Sequence, residues 1–324
     1  MKAFVHSFHY ILVLLAAVTG PQRLSAQTFE QDSVCYEVVS PSEVHVTDAD
    51  EDIVNVVIPA SVTFQGRCYR VSLIRDNSLQ YHQRLRSAVV GAVRIGENAF
   101  FQCANLTAVT FTEHVRDIAF DAFRFTGLTE VFIPATVTHI GGGFHNCFSL
   151  KRLEIDARNP IYDSRQHCNA VIETQANRLI DGCAATVIPD GVTSIGEGAF
   201  LQNPITSISF PPSVKVIEFA AFYQCRQLSN VHFSEGLTQI GNRAFGECLS
   251  LRSVVLPASL LSVGDYGFRS CPLVSVRVLS RRGLDFRHKA VDQSVLDNAV
   301  FIIPRSTSGV YSLQLFRHRA EAFE

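Results

Sequence analysis

The sequence predicts a β-rich solenoid: a coil with a parallel sheet on its concave face, short helical or 3-10 turns on the opposite side, and a cap at each end. Three observations predict it. The phrase Ile-Gly-x-x-Ala-Phe-x-x-Cys-x-x-Leu occurs as Ile95-Gly96-Glu97-Asn98-Ala99-Phe100 with Cys103 and Leu106, and again as Ile240-Gly241-Asn242-Arg243-Ala244-Phe245 with Cys248 and Leu251. Its opening residue returns at Ile95, Ile118, Ile140, Ile195, Ile217, Ile240 and Val263, at spacings of 23, 22, 55, 22, 23 and 23. The composition is lopsided in the same sense, with 24 Phe, one Met and no Trp in 324 residues, as if one aromatic slot had been copied many times. A fixed period of this size signals an array in which each repeat packs only on its neighbours.

Residues 1–26 read as a secretory signal peptide. Lys2 precedes an apolar run over 10–18, and Leu24-Ser25-Ala26 offers small residues for cleavage before Gln27. The run is too short to span a bilayer, and no later stretch approaches the ~20 apolar residues of a transmembrane helix. Cleavage removes Lys2 and Arg23, so the 28 basic residues become 26 against 30 acidic ones, a balance of −4. That gives no reason to expect nucleic acid or an anionic membrane as a partner. Residues 27–94 follow as a β-rich cap and lead-in repeat, with short alternating runs at 44–46, 54–58 and 69–73.

Residues 95–278 carry the repeats. The Phe slot is filled by Phe100, Phe123, Phe144, Phe200, Phe222, Phe245 and Phe268. Strand-like segments end on alternating apolar positions such as Val131 and Ile133 or Val254 and Leu256, the pattern of a half-buried strand. Pro134, Pro211 and Pro257 close strands where ladder pairing ends. Gly96, Gly141, Gly196, Gly241 and Gly264 follow the opening residue, where a tight turn is expected. The gap of 55 is an enlarged repeat at 156–188 carrying a β-hairpin, with Gln175-Ala176-Asn177 as its turn. Val187-Ile188-Pro189 then regains the strand-end position. Residues 279–324 read as the C-terminal cap, with Phe301-Ile302-Ile303-Pro304 extended and 310–313 of helical character. Caps are needed because an open end exposes strand edges and core.

These motifs carry a resemblance. The Ile-Gly-x-x-Ala-Phe-x-x-Cys phrase, the segment 159–165 (Asn-Pro-Ile-Tyr-Asp-Ser-Arg), the run from Cys168 to Cys183 and the lead-in from Val57 to Val71 resemble the BspA-like leucine-rich repeat proteins, over about residues 54–305. The resemblance implies a right-handed leucine-rich repeat solenoid on, or exported past, the bacterial cell envelope. It implies adhesion to host matrix, host cells or other microbes.

Nine cysteines in an exported chain invite a disulfide reading. Five of them share one slot of the repeat. Cys103, Cys147, Cys225, Cys248 and Cys271 occupy it, and Thr126 and Asn203 fill it elsewhere. All are small and hydrogen-bonding, which fits a buried ladder of free thiols that satisfies loop backbone. Cys168 with Cys183, and Cys35 with Cys68, are left open as either disulfides or free thiols.

No residue pattern points to catalysis, a cofactor or a metal. Asp48-Ala49-Asp50-Glu51-Asp52 opens like a calcium loop but has Ile53 and Pro59 where Gly and Glu belong. Gly141-Gly142-Gly143 lacks the Lys of a phosphate loop. His167 and Cys168 are adjacent, so on a strand they face opposite ways. The basic run Arg281, Arg282, Arg287 and Lys289 reads as a solvated cap face or a contact for an acidic partner.

The exposed strand positions are the binding candidates. One row should read Thr110, Phe132, Glu154, Val187, Ser209, His232, Val255 and Arg277, with Glu130, Arg152, Ala185 and Asn230 in the row beside it. Phe132 among Glu130, Arg152 and Glu154 is an aromatic anchor amid charges, a composition favoured at interfaces; Asn230, His232 and Arg277 extend the candidate site. The expected function is an exported, non-enzymatic protein that binds a protein or glycan ligand at the cell surface, in the medium or in the periplasm, with host matrix or host cells among its partners. The alternatives are a structural component of the envelope and a glycan-capture accessory.

Overall fold

The chain folds, in a computed structural model, as a β-solenoid of about 11 turns. Residues 27–287, 289–304 and 320–323 are described. The expected signal peptide at 1–26 and the expected helical segment at 310–313 lie outside the described residues.

The concave face is built from short parallel strands, one per turn. Asn55–Ile58, Ser87–Val90, Ala108–Phe111, Glu130–Ile133 and Arg152–Ile155 form one sheet. Ser207–Ser209 and Asn230–His232 form a second, and Ser253–Leu256, Ser275–Val278, Val300–Pro304 and Ala320–Phe323 a third. Neighbouring strands are in register, so Glu130 lies beside Arg152, Phe132 beside Glu154, Ser209 beside His232 and Val255 beside Arg277. Along each strand the side chains alternate. Val131 and Ile133 are buried while Glu130 and Phe132 are exposed, as the two-residue period of a strand requires.

A second parallel ladder runs through the opening residues of the phrase. Arg94–Ile95, Asp117–Ile118 and His139–Ile140 are two-residue strands that continue the sheet of the N-terminal cap. That cap is an antiparallel meander of Gln27–Gln31, Val34–Ser40 and Glu43–Ala49, whose last strand pairs parallel with Arg67–Ile74. The meander therefore covers the first edge of this ladder with hydrogen-bonded chain. Beyond the enlarged repeat, Ser194–Ile195, Val216–Ile217, Gln239–Ile240, Ser262–Val263 and Asp285–Phe286 repeat the pattern. The outer segments are chains of hydrogen-bonded turns. Among the described residues the regular helices are a 3-10 turn, Arg165–His167, and a C-terminal helix, Gln293–Asn298.

The core is a pile of rings. Phe100, Phe123 and Phe144 stack at centroid distances of 5.0 and 5.6 Å. Phe200, Phe222, Phe245 and Phe268 stack at 4.7, 5.0 and 5.3 Å. Burying each ring contributes roughly 1.5–3 kcal/mol. The pile is broken between Phe144 and Phe200, where Gly182 lies against the Phe200 ring; a Cβ there would come within 2.4 Å of it. The break divides the interior into two apolar clusters, which meet at the enlarged repeat.

That repeat carries the antiparallel hairpin Ala170–Glu173 with Arg178–Gly182, around a turn at 174–177. It corrects one expectation. Ala185 and Val187 are not in a strand, so both concave rows are interrupted there. The chain returning from the hairpin hydrogen-bonds to the segment that leads into it, Val187 N–H donating to the Cys168 carbonyl at 3.1 Å, and Val187 is left 72% exposed.

The phrase glycines also differ from expectation. Gly96 and Gly264 do not carry the positive φ of a glycine turn. They are required because the preceding turn lies against them. A Cβ on Gly96 would be 2.7 Å from the Asp76 nitrogen, and one on Gly264 would be 2.6 Å from the Asn242 nitrogen. The left-handed positions come in two columns of one residue per turn instead. Asn77, Asn98, Asp121, Gly142, Gly198, Ala220, Arg243 and Tyr266 have φ between 52 and 81°. Tyr81, Gln102, Phe125, Asn146, Gln202, Gln224, Glu247 and Ser270 have φ between 55 and 65°.

Candidate functional site

The structure brings four of the candidate residues together. Glu130, Phe132, Arg152 and Glu154 line a concave hollow of about 380 Å³, with Thr107, Thr129 and the strand backbone. Phe132 is 54% exposed in its wall. Arg152 lies between two acids, 2.9 Å from Glu154 and 3.9 Å from Glu130. Its hydrogen bond holds the Glu154 carboxyl below its ordinary range and raises the Arg152 guanidinium in turn. His167 approaches the other oxygen of Glu154 at 3.5 Å. The site is thus a ring standing over a charge cluster that is already internally paired. A partner would have to meet the ring and the outer faces of the pairs.

Asn230 and His232 line a separate hollow of about 290 Å³ with Ser207, Ser209, Ser253 and Val255. It lies on the far side of the break at 185–187. Arg277 is on the next strand but one, beside Val255 and Ile302. The seven candidates therefore fall into groups and not into one patch.

The repeat cysteines are all free, as are Cys35, Cys68, Cys168 and Cys183. Cys103, Cys147, Cys225, Cys248 and Cys271 each direct the thiol at a carbonyl of the preceding turn, at 3.0, 3.1, 2.9, 3.3 and 3.0 Å. For four of them the acceptor belongs to a stacked Phe (123, 200, 222 and 245). Thr126 bonds the Phe123 carbonyl of its own turn, and Asn203 reaches Gly182. Burial pushes the Cys103, Cys147 and Cys225 thiols up to about 12. Such thiols are poor nucleophiles. Cys168 is likewise pushed up to about 11 by burial, while the neighbouring His167 side chain is 90% exposed. Among the described residues no three His, Cys, Asp or Glu side chains converge on a metal-sized site, and no helix is long and apolar enough to cross a membrane.

Sequence reasoning missed a buried polar cluster at the joint between the two cores. In successive turns the Phe N–H donates to the carbonyl preceding the next turn's Phe, as Phe123 does to Gly143 and Phe200 to Ala221. At Phe144 that carbonyl is missing, and the Asp181 carboxylate replaces it at 3.2 Å. Asp181 is 1% exposed, and burial pushes its carboxyl up to about 6. Beside it, His145 Nδ1 donates to Asp121 at 2.8 Å. Burial pulls the His145 imidazolium down, but the Asp121 hydrogen bond and the charges of Asp181 and Asp121 outweigh it and leave it raised. The signal that could have found Asp181 is a lone acid inside an apolar strand, Leu179-Ile180-Asp181.

A family model for the BspA type leucine rich repeat region matches the chain in 6 copies, over residues 73–174 and 171–275. Solved structures share the fold. A leucine-rich cell surface protein of Faecalibacterium prausnitzii is 21% identical, with a TM-score of 0.50 over 84% of this chain and 97% of that one. The pneumococcal vaccine antigen PcpA is 13% identical, with a TM-score of 0.56 over 92% and 99%. A leucine-rich repeat protein of Eubacterium ventriosum is 16% identical, with a TM-score of 0.56 over 86% and 84%. No curated protein matches the chain. The repeat phrase, the stacked rings and the family match agree: the chain belongs to the BspA type leucine-rich repeat family.

Proposed function

We propose that the protein is exported by its N-terminal leader and acts at the bacterial cell envelope as a non-enzymatic adhesin, binding a protein partner through the concave face. The observation that carries this reading is Phe132. A ring more than half exposed, lining a hollow together with Glu130, Arg152 and Glu154, is the composition of an interface anchor. The scaffold supports it, because solenoids present extended concave surfaces suited to binding. The envelope setting is supported by the family and by the cell-surface protein of the same fold.

The test has two arms. The purified protein is titrated onto immobilised host extracellular-matrix proteins and intact host cells, and intact producing cells are treated with protease. Saturable binding that weakens in Phe132→Ala and Arg152→Glu supports the reading. Binding unchanged in both variants removes the concave assignment, and a protein shielded from external protease is not an adhesin.

A further inference from the structure

We propose that a second surface, on the turn side of the coil and away from the concave hollows, binds a linear uncharged glycan. Its first part is a row of rings. Tyr81, Phe101, Phe125 and Phe148 meet edge to face at centroid distances of 5.7, 5.8 and 5.8 Å, one ring per turn. Tyr81 is 52% and Phe148 51% exposed, and the two between them are half-buried. The row is not a by-product of repeat copying. The buried Phe pile occupies one slot throughout, whereas Phe101, Phe125 and Phe148 stand one, two and four positions after it in their own turns. Each of those slots holds a different residue type in later turns, such as Leu201, Gln224 and Arg226.

The second part is a band of side-chain amides. Gln83 and Asn105 are tied to the edge of the row, Gln83 donating to the Gln102 carbonyl and Asn105 to the Gln83 carbonyl, both at 2.6 Å. Past Phe148 the amides form a relay. Asn146 donates to Gln202 at 3.0 Å, Gln202 donates to Gln224, and Gln224 donates to Glu247 at 2.9 Å. Two hollows open along this band, of about 410 and 480 Å³, and Phe148 is a wall of both. The first is lined by no charged side chain, and the second by one, Arg226.

This lining selects the ligand class. Rings offer apolar contact to the C–H faces of sugars, and planar amides both donate to and accept from hydroxyls. The rings are set edge to face and Arg124 lies 4.9 Å over Phe125, so the exposed end rings, Tyr81 and Phe148, are the ones open to a sugar face. A single-stranded nucleic acid would also stack on rings, but it needs a groove lined with cations along the backbone. A proline-rich peptide would use rings but leave the amide band without hydroxyl partners. The glycan site is independent of the concave-face reading, since none of its residues lines the Phe132 hollow.

The experiment is affinity electrophoresis of the purified protein in gels containing soluble linear neutral polysaccharides: β-glucan, xylan, mannan and galactan. At least one should retard the protein. Phe148→Ala and Gln224→Ala should each weaken that retardation by about tenfold in Kd, and Phe132→Ala should leave it unchanged. Phe148 is exposed and Gln224 half-buried, so neither substitution opens the core. No retardation by any of the four overturns the inference, as does retardation that survives both variants. Binding of a polyproline peptide, weakened by Phe148→Ala, with no polysaccharide retarding the protein, assigns the row to a peptide instead.

Discussion

Replacing Asp181 with Asn tests the account of the joint. The Asn keeps an acceptor for the Phe144 N–H and cannot ionise. The groups facing Asp181 are His145 and Asp121, with the Cys147 and Cys183 thiols nearby. The ordinary Asp value is 3.8, and in the fold it is about 6. A carboxyl raised in the fold contributes stability that is complete below 3.8 and is lost as pH rises through about 6. The whole interval corresponds to about 3 kcal/mol at 1.36 kcal/mol per pH decade. At pH 5 about half of that remains, and at pH 8 essentially none, so Asp181 makes the protein on the order of 1 kcal/mol less stable at pH 8 than at pH 5. His145, raised above 6.5, acts in the same direction: its contribution is present below 6.5 and is lost above its folded value. Chemical denaturation at pH 5, 6, 7 and 8 is the assay. The stability of Asp181→Asn relative to the native protein should rise by on the order of 1 kcal/mol from pH 5 to pH 8. Asp181→Ala, which leaves the Phe144 N–H without an acceptor, should be less stable than Asp181→Asn by about 1–3 kcal/mol at every pH. Parallel pH profiles for the native protein and Asp181→Asn, or an Ala variant as stable as the Asn one, would refute the reasoning.

The other predictions concern the scaffold. Phe222→Ala removes a fully buried ring held between Phe200 at 4.7 Å and Phe245 at 5.0 Å, and should cost about 3–5 kcal/mol in denaturation experiments. Phe148→Ala, at an exposed ring, should cost less than about 1 kcal/mol. Ala220 is left-handed at φ 52°, so Ala220→Gly should stabilise by about 0.5–1 kcal/mol, the relief of the left-handed conformation less the entropy of glycine. Thiol titration without reductant should find all nine cysteines after denaturation; in the native protein the exposed Cys68 should react first and the buried repeat thiols should stay silent.

Much of the scaffold was legible because its determinants recur. A slot filled by Phe seven times announces a ring pile, and alternating Val131 and Ile133 announces a half-buried strand. What was not legible lacked a recurring letter. The two-residue strands are too short to carry a period. The left-handed columns are filled by Gln, Asn, Arg, Tyr and Glu as well as Gly, so no glycine pattern marks them. The interruption at Val187 depends on where the returning hairpin chain finds its hydrogen bonds, which is a tertiary fact. Four candidate site residues were found because register brings equivalent positions together. Asn230, His232 and Arg277 were assigned to one site with them only by assuming an unbroken sheet.

The break in the ring pile has a mechanical meaning. Successive turns are joined by hydrogen bonds that run along the coil axis, so a pull on the two ends loads the joints between turns one after another. Most joints combine a strand ladder, a ring on a ring and a thiol on a carbonyl. The joint at the enlarged repeat has no ring contact between Phe144 and Phe200 and no concave strand pairing between Arg152–Ile155 and Ser207–Ser209. A protein tethered to a cell and held by a partner under flow would part there first. Each half would keep its own apolar cluster and the Phe132 hollow would stay folded, while the amide relay, which crosses the joint from Asn146 to Gln202, would come apart.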